Sequence, residues 1–268
     1  MDWKNIKTIF IFSFLILNVY LGTEYFEKIN PEFDTIEEET LNKLVDKIDF
    51  EEDYPKIPKE LYVVSGTATL FDEQSIEAFT DKNKNQEISV LADKVIHSKL
   101  KEPYPLSSHS DVKEQLQTFI KGYVPNADQY QYWKYDDNRK LHIFRQHQEE
   151  IPFYFNDSIS QGNLTGLIEI SVDEEEITSY SLTSMQIRKE EKIEKLITAE
   201  EALLVEAIPY GTKLQDIKPV YFTLITNGGW KVFVPSWHIV TEEQELMVDA
   251  TDSSPIPLEK DEEEESEE

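Results

Sequence analysis

Sixteen consecutive uncharged residues, Thr8 to Thr23 (TIFIFSFLILNVYLGT), constrain this chain more than any other feature. Wound as a helix at about 1.5 Å per residue, they cover roughly 24 Å. Ile6, Tyr25 and Phe26, with Lys7 snorkelling outwards, bring the stretch close to the ~30 Å hydrocarbon core of a bilayer. Lys4 and Lys7 precede the run; Glu24, Glu27, Glu32 and Asp34 follow it. By the positive-inside rule the N-terminus is expected in the cytoplasm and the remainder across the membrane. A cleaved signal peptide wants small residues at the −3 and −1 positions, and Tyr20-Leu21-Gly22-Thr23-Glu24 is a poor site of that kind. The expectation is therefore a cytoplasmic N-terminus over 1–7, an uncleaved single-pass anchor over 8–23, and an extracellular C-terminal portion in the cell membrane.

Within the anchor, Ile11, Leu15, Asn18 and Gly22 fall at spacings of four, three and four, on one helical face. An amide in lipid gains from an interhelical hydrogen bond, and glycine lets two backbones approach. This stripe is the candidate partner-binding surface.

About 245 residues follow the anchor, longer than a typical domain, so two compact units are expected. The chain has no cysteine, hence no disulfide, thiolate nucleophile or thiolate metal site. A translocated eukaryotic domain commonly uses disulfides; a Gram-positive bacterium fits better. The net charge is −28. The last twelve residues, PLEKDEEEESEE, hold eight acids and one lysine, a net −7, which leaves −21 for the rest. Such a surface repels nucleic acid and anionic headgroups, so no nucleic-acid partner is expected. The stretch 258–268 reads as a disordered acidic tail.

Residues 24–58 read as a juxtamembrane stalk. Thr35-Ile36-Glu37-Glu38 has the form of a capping box, and Leu41, Leu44, Val45 and Ile48 follow at one-face helical spacing. Pro55 and Pro58 end it. A first β-rich α+β unit is expected over 59–190. It starts with strands Leu61–Val64 and Thr67–Phe71 about a bend or bulge at Ser65-Gly66, a polar turn over Asp81–Gln86, and a strand around Val90–Lys101 closed by Pro103 and Pro105. A helix capped within Ser108–Asp111 shows Val112, Leu116, Phe119, Ile120 and Tyr123 on one face and stops at Pro125-Asn126. Strands Gln129–Tyr135, Lys140–Gln146 and Ile151–Phe155 follow, then a hairpin of Leu164–Val172 and Ile177–Arg188 about the turn Asp173–Glu176.

A second helix-plus-antiparallel-sheet unit is expected over 191–257. It opens on the capping box Thr198-Ala199-Glu200-Glu201 and continues through strands Lys218–Ile225, Trp230–Val234, Trp237–Thr241 and Glu245–Ala250. Trp230, Val232 and Val234 alternate with Lys231 and Phe233, as in a sheet with one wet face. The fold class is α+β: one transmembrane helix followed by tandem helix-on-antiparallel-sheet units.

Chemistry is sparse. With eight glycines there is no G-x-G-x-x-G, Walker loop or G-x-S-x-G elbow. His97, His109, His142, His147 and His238 read as structural or solvated, and His142 and His147, five apart on a strand, face opposite sides. Asp81-x-Asn83-x-Asn85 opens like a calcium loop, but Gln86 replaces the required glycine and Ala92 the bidentate Glu. No metal, cofactor or catalytic constellation is expected, and the chain is not read as an enzyme.

The opening Met1-Asp2-Trp3-Lys4, the Lys7-Thr8 leading into the apolar run and the late Asn18 resemble the start of the YycI proteins of the YycH/YycI family. Gly229-Trp230-Lys231-Val232-Phe233-Val234-Pro235-Ser236-Trp237, followed by Val248-Asp249-Ala250, is similar to the final strands of that family and of small PepSY-like modules. The resemblance spans the chain apart from the acidic tail. It implies an accessory regulator that pairs with a YycH-like protein, contacts a WalK-like sensor histidine kinase partly through transmembrane helices, and modulates two-component control of cell-wall metabolism. An extracytoplasmic PepSY-like protease inhibitor or chaperone is the competing reading, and an unrecognised wall-active hydrolase a third.

Overall fold

The computed structural model describes residues 13–21, 48, 50, 53–58, 60–154, 166–204, 212–227, 230–256 and 258. The chain divides into two compact units, Met1–Lys47 and Ile48–Glu268. In the first, residues 13–21 are helical, with their side chains exposed. Among the described residues, no helix is long and apolar enough to cross a membrane. The rest of the 8–23 segment, the Thr35–Glu38 capping box with Leu41, Leu44 and Val45, and residues 259–268 lie outside the described residues.

The second unit is a mixed α+β fold dominated by sheet. It begins with β1 (Leu61–Ala68), α1 (Glu73–Lys82), β2 (Gln86–Leu91), β3 (Val95–Pro105) and α2 (Val112–Tyr123). There follow β4 (Tyr130–Asp136), β5 (Leu141–Gln148), β6 (Ile151–Tyr154), β7 (Leu167–Asp173), β8 (Glu176–Leu182) and β9 (Met185–Ile193). The last elements are α3 (Ala199–Leu203), β10 (Leu214–Asn227), β11 (Trp230–Thr241), β12 (Glu245–Asp249) and β13 (Pro255–Ile256).

Helix α2 forms where its sequence signals place it. The Asp111 carboxylate accepts the Lys113 N–H at 2.7 Å, satisfying an orphan donor of the first turn. Leu116, Phe119 and Ile120 form its buried stripe, and Asn126 takes a left-handed φ of 54° beyond its end. In α3 both halves of the capping box are made: Glu201 N–H donates to the Thr198 hydroxyl at 3.2 Å, and Thr198 N–H to the Glu201 carboxylate at 2.7 Å.

Several elements depart from the sequence expectation. A helix, α1, occupies the stretch before the polar turn; Asp72 caps it by accepting the Ser75 N–H at 2.8 Å. Phe79 is its only buried side chain, so its apolar stripe is thin. The turn after it is present, with Asn83 buried and donating to the carbonyls of Phe79 and Tyr123 at 3.0 and 3.2 Å. This ties the end of α1 to the end of α2. The strand expected around Val90–Lys101 is a hairpin, β2 and β3, turning through Ala92 and Asp93 at φ 50° and 55°. β3 also runs through Pro103 to Pro105 rather than stopping before them. β1 is continuous across Ser65-Gly66, and its irregularity lies between Tyr62 and Val64. The two strands expected over Trp230–Thr241 are one, because β10 pairs with β11 from Trp230 to Thr241.

The strands form two sheets. In the first the order is β2-β3-β8-β7-β5-β4, all antiparallel. In the second, β9 pairs β1, β1 pairs the first half of β11, and β12 takes the other half of that edge, with β13 beyond it. β10 lies on the opposite side of β11 and pairs β6 in parallel. The tight β5–β6 hairpin links the sheets through Glu149 and Glu150, at φ 52° and 68°.

β1, the earliest strand, thus lies among the last ones. The stretch expected as a single strand over Ile177–Arg188 is broken: β8 stays in the first sheet and β9 joins the second. Buried polar groups hold the break. Tyr130 Oη donates to Thr183 O at 2.7 Å, and Leu167 N–H donates to the Thr183 hydroxyl at 2.8 Å. The Gln146 side chain accepts the Met185 N–H and donates to Met185 O, both at 2.9 Å, standing in for a neighbouring strand.

Helices α1 and α2 close the core of the first sheet, with Phe79, Leu116, Phe119 and Ile120 against Phe144, Ile168, Ile170 and Tyr180. The second sheet buries Leu61, Val64, Ile151, Phe153, Tyr221 and Phe233. Phe233 is thus the inward side of the expected alternation, while Trp230 is exposed. Trp237, fully buried, donates its indole N–H to Ile197 O at 3.1 Å, next to α3.

Candidate functional site

The most concentrated chemistry in the second unit lies where the two sheets meet. Trp133 of β4 and Arg145 of β5 face Tyr154 of β6, Lys218 of β10, His238 of β11 and Glu245 of β12. The guanidinium carbon of Arg145 is 4.9 Å from the Trp133 ring centroid and 4.8 Å from that of Tyr154. Arg145 also donates to Phe153 O at 3.1 Å, which fixes it in the seam. Lys218 Nζ sits 3.8 Å from the Trp133 centroid and 2.6 Å from Asp216 Oδ2. Among the aromatic rings, indole gives the strongest cation–π contact.

One carboxylate oxygen of Glu245 accepts from both the Tyr154 hydroxyl, at 2.8 Å, and His238 Nε2. His238 Nδ1 is buried with no hydrogen-bond partner. A protonated imidazole would bury an N–H donor there unsatisfied, so His238 is neutral with its proton on Nε2. Desolvation accordingly pushes its pKa below the ordinary value, although Glu245 opposes the shift. The hydrogen bond from His238 lowers Glu245 to about 2 despite partial burial. The imidazole nitrogen that could exchange a proton with a substrate is enclosed. The geometry therefore clamps β6 and β10–β12 to β4 and β5 and offers no open acid–base pair.

The stripe expected over Ile11, Leu15, Asn18 and Gly22 is described only in part. Leu15 and Asn18 lie in the helical residues 13–21, and the Asn18 amide donates to Phe14 O at 2.8 Å. Ile11 and Gly22 lie outside the described residues. The other four histidines have local partners: His97 meets the Ser181 hydroxyl at 3.0 Å, His109 the Ser108 hydroxyl at 3.3 Å, His142 the Tyr132 hydroxyl at 3.2 Å and His147 the Asp128 carbonyl at 3.0 Å. Among the described residues no group of three or more His, Asp or Glu is placed to hold a metal ion. The seam was not legible in the sequence, since its members come from six strands and carry no motif.

A family model described as "YycI protein" matches residues 27–251. The chain belongs to the YycI family. Members of that family are regulatory accessory proteins of two-component systems. The match covers β1 to β12 and stops before β13 and the acidic end.

Among solved structures, an uncharacterized protein from Eubacterium rectale is 11% identical, covering 79% of this chain and 89% of its own, with a TM-score of 0.49. YycH from Bacillus subtilis is 14% identical over 81% of this chain and 62% of its own, with a TM-score of 0.42. The C-terminal domain of Bacillus megaterium YpeB is 11% identical over 71% of this chain and 97% of its own, with a TM-score of 0.40. The search of curated proteins found no match.

Proposed function

We propose that this YycI-family chain is a membrane-anchored accessory regulator that contacts a WalK-like sensor histidine kinase together with a YycH-like partner. It modulates two-component signalling that controls cell-wall metabolism, and it has no catalytic role of its own. The observation that carries this reading is the family match over residues 27–251. In this reading residues 8–23 span the membrane, with the N-terminus cytoplasmic and the sheet-bearing unit outside. The two helix-faced sheets act as PepSY-like interaction modules. Ile11, Leu15, Asn18 and Gly22 face a partner helix.

Confinement to one bilayer beside the kinase raises the effective concentration, so a weak contact is occupied often enough to set kinase output. The test is chemical crosslinking in intact membranes, followed by recovery of the full chain and identification of its crosslinked neighbours. The reading expects the kinase and the YycH-like protein, both lost when 1–26 is replaced by an unrelated anchor. Recovery of neither with the native anchor contradicts it.

A further inference from the structure

At the end of the first sheet, under the start of α2, lies a groove of about 400 Å³. Leu106, Val112, Tyr135 and Val172 give it apolar walls, with His142 and Glu175 beside them. Val112 and Tyr135 are 40% and 43% exposed, an unusual position for apolar groups that begin a helix and end a strand next to each other. Tyr135 is backed by the His142 ring, with centroids 4.7 Å apart. Burial lowers the pKa of His142, so it brings no charge to the wall near neutral pH.

The lip is the β7–β8 turn, Asp173-Glu174-Glu175-Glu176. Glu174 and Glu175 hold φ values of 47° and 63°, where Asn-Gly is the favoured pair. The Leu106 N–H donates to Glu175 O at 2.8 Å, locking the turn to the groove floor. Like charges at four successive positions, the central two of them left-handed, are unfavourable for folding alone. Among the described residues none of these four carboxylates makes an ion pair. The nearby cations are already engaged. Lys113 lies 5.4 Å from the Tyr132 ring centroid, Lys140 is 3.8 Å from Asp137, and Arg139 bridges Asp136 and Glu169 at 2.8 and 2.7 Å.

We propose that this groove seats an apolar side chain of a partner protein's peptide segment whose flanking residues are cationic, the Asp173–Glu176 turn taking up those cations. The volume suits one or two side chains, and the apolar walls supply the burial. The lip excludes acidic segments, fatty-acid carboxylates and anionic headgroups by like-charge repulsion. This site was not visible in the sequence, where Asp173–Glu176 reads only as a hairpin turn.

The experiment uses the full chain in zwitterionic lipid nanodiscs, with empty nanodiscs as blanks. Three fluorescein-labelled hexapeptides are titrated by anisotropy, each with a Leu-Phe centre flanked on both sides by Lys-Lys, Gln-Gln or Glu-Glu. Saturable binding of the Lys-flanked peptide is expected, about tenfold weaker for the Gln-flanked one and absent for the Glu-flanked one. Glu174→Gln with Glu176→Gln should weaken the Lys-flanked peptide about tenfold and leave the Gln-flanked one unchanged. Val112→Trp, at an exposed first-turn position, should fill the groove and abolish both. No saturable binding of the Lys-flanked peptide, equal binding of all three, or binding unaffected by Val112→Trp overturns the proposal. No kinase is present, so failure here leaves the regulatory reading standing, and the reverse also holds.

Discussion

Lys218 of β10 holds its ammonium 3.8 Å from the centre of the Trp133 ring on β4, joining strands of different sheets whose backbones do not pair with each other. Trp133 is also approached by Arg145 at 4.9 Å and stacks edge-on to Tyr154. Truncating the indole therefore removes two cation–π contacts and an aromatic neighbour at once. Trp133→Leu should destabilise the fold by about 2–4 kcal/mol. Lys218→Met, which keeps most of the stem, should cost less. A double-mutant cycle by urea denaturation should give a coupling of about 0.5–2 kcal/mol. Strictly additive effects would show that the contact carries no energy.

His238 makes acid stability a test of its protonation state. Its folded pKa lies below the ordinary 6.5, chiefly through desolvation. The unfolded chain thus binds the proton first, and stability is full above about pH 6.5 and declines as the pH falls below it. His142 is lowered by desolvation as well and acts in the same window. Glu245, held at about 2 when folded, adds a loss that begins near its unfolded value of 4.5 and continues towards pH 2. The melting temperature should fall between pH 7 and 5.5. His142→Gln combined with His238→Gln should flatten that part of the profile and also shrink the loss below pH 4.5, because His238 is the main cause of the low Glu245 pKa.

The Gln146 side chain replaces a strand at the point where the chain changes sheets, so its loss leaves two buried backbone groups of Met185 unpaired. Gln146→Ala should cost about 2–4 kcal/mol by denaturant unfolding. Gly166 touches the same amide: a Cβ there would lie 2.5 Å from Gln146 Oε1, and its φ is +64°. Gly166→Ala should therefore destabilise by about 1–3 kcal/mol. An alanine at 166 that is neutral would mean the amide moves freely, against its role as a fixed pin.

Legibility followed the range of the interactions. Helix α2 and the Thr198–Glu201 capping box could be read because cap, stripe and stop lie within a few residues of each other. Helix α1 was missed because it buries only Phe79, too little to show a helical period beside the polar turn that follows. The break between β8 and β9 was missed because Ile177–Arg188 keeps reading as strand through Thr183 and Ser184. What breaks it are Tyr130, Gln146 and Leu167, none of them local in sequence. The seam and the groove were hidden for the same reason: Trp133 and Lys218, or Leu106 and Val172, meet only once the sheets are assembled.

Asn18 satisfies one amide N–H on Phe14 O, which in the proposed membrane-spanning arrangement leaves the other N–H and the carbonyl oxygen for a neighbouring helix. Asn18→Leu should reduce co-purification of the kinase or the YycH-like partner by a few-fold, since such bonds contribute roughly 0.6–2 kcal/mol. Unchanged recovery at matched expression would leave the stripe without a role.

The most direct measurement is a reporter of the kinase's target genes in a strain lacking this chain, complemented either by the full chain or by a secreted form of residues 30–258 at matched abundance. The account predicts that deletion alters the reporter, that the anchored chain restores it, and that the released form restores it poorly because a weak contact is rarely occupied without confinement to the bilayer. A reporter unmoved by deletion would contradict the regulatory role itself, and full restoration by the released form would contradict the part given to the anchor.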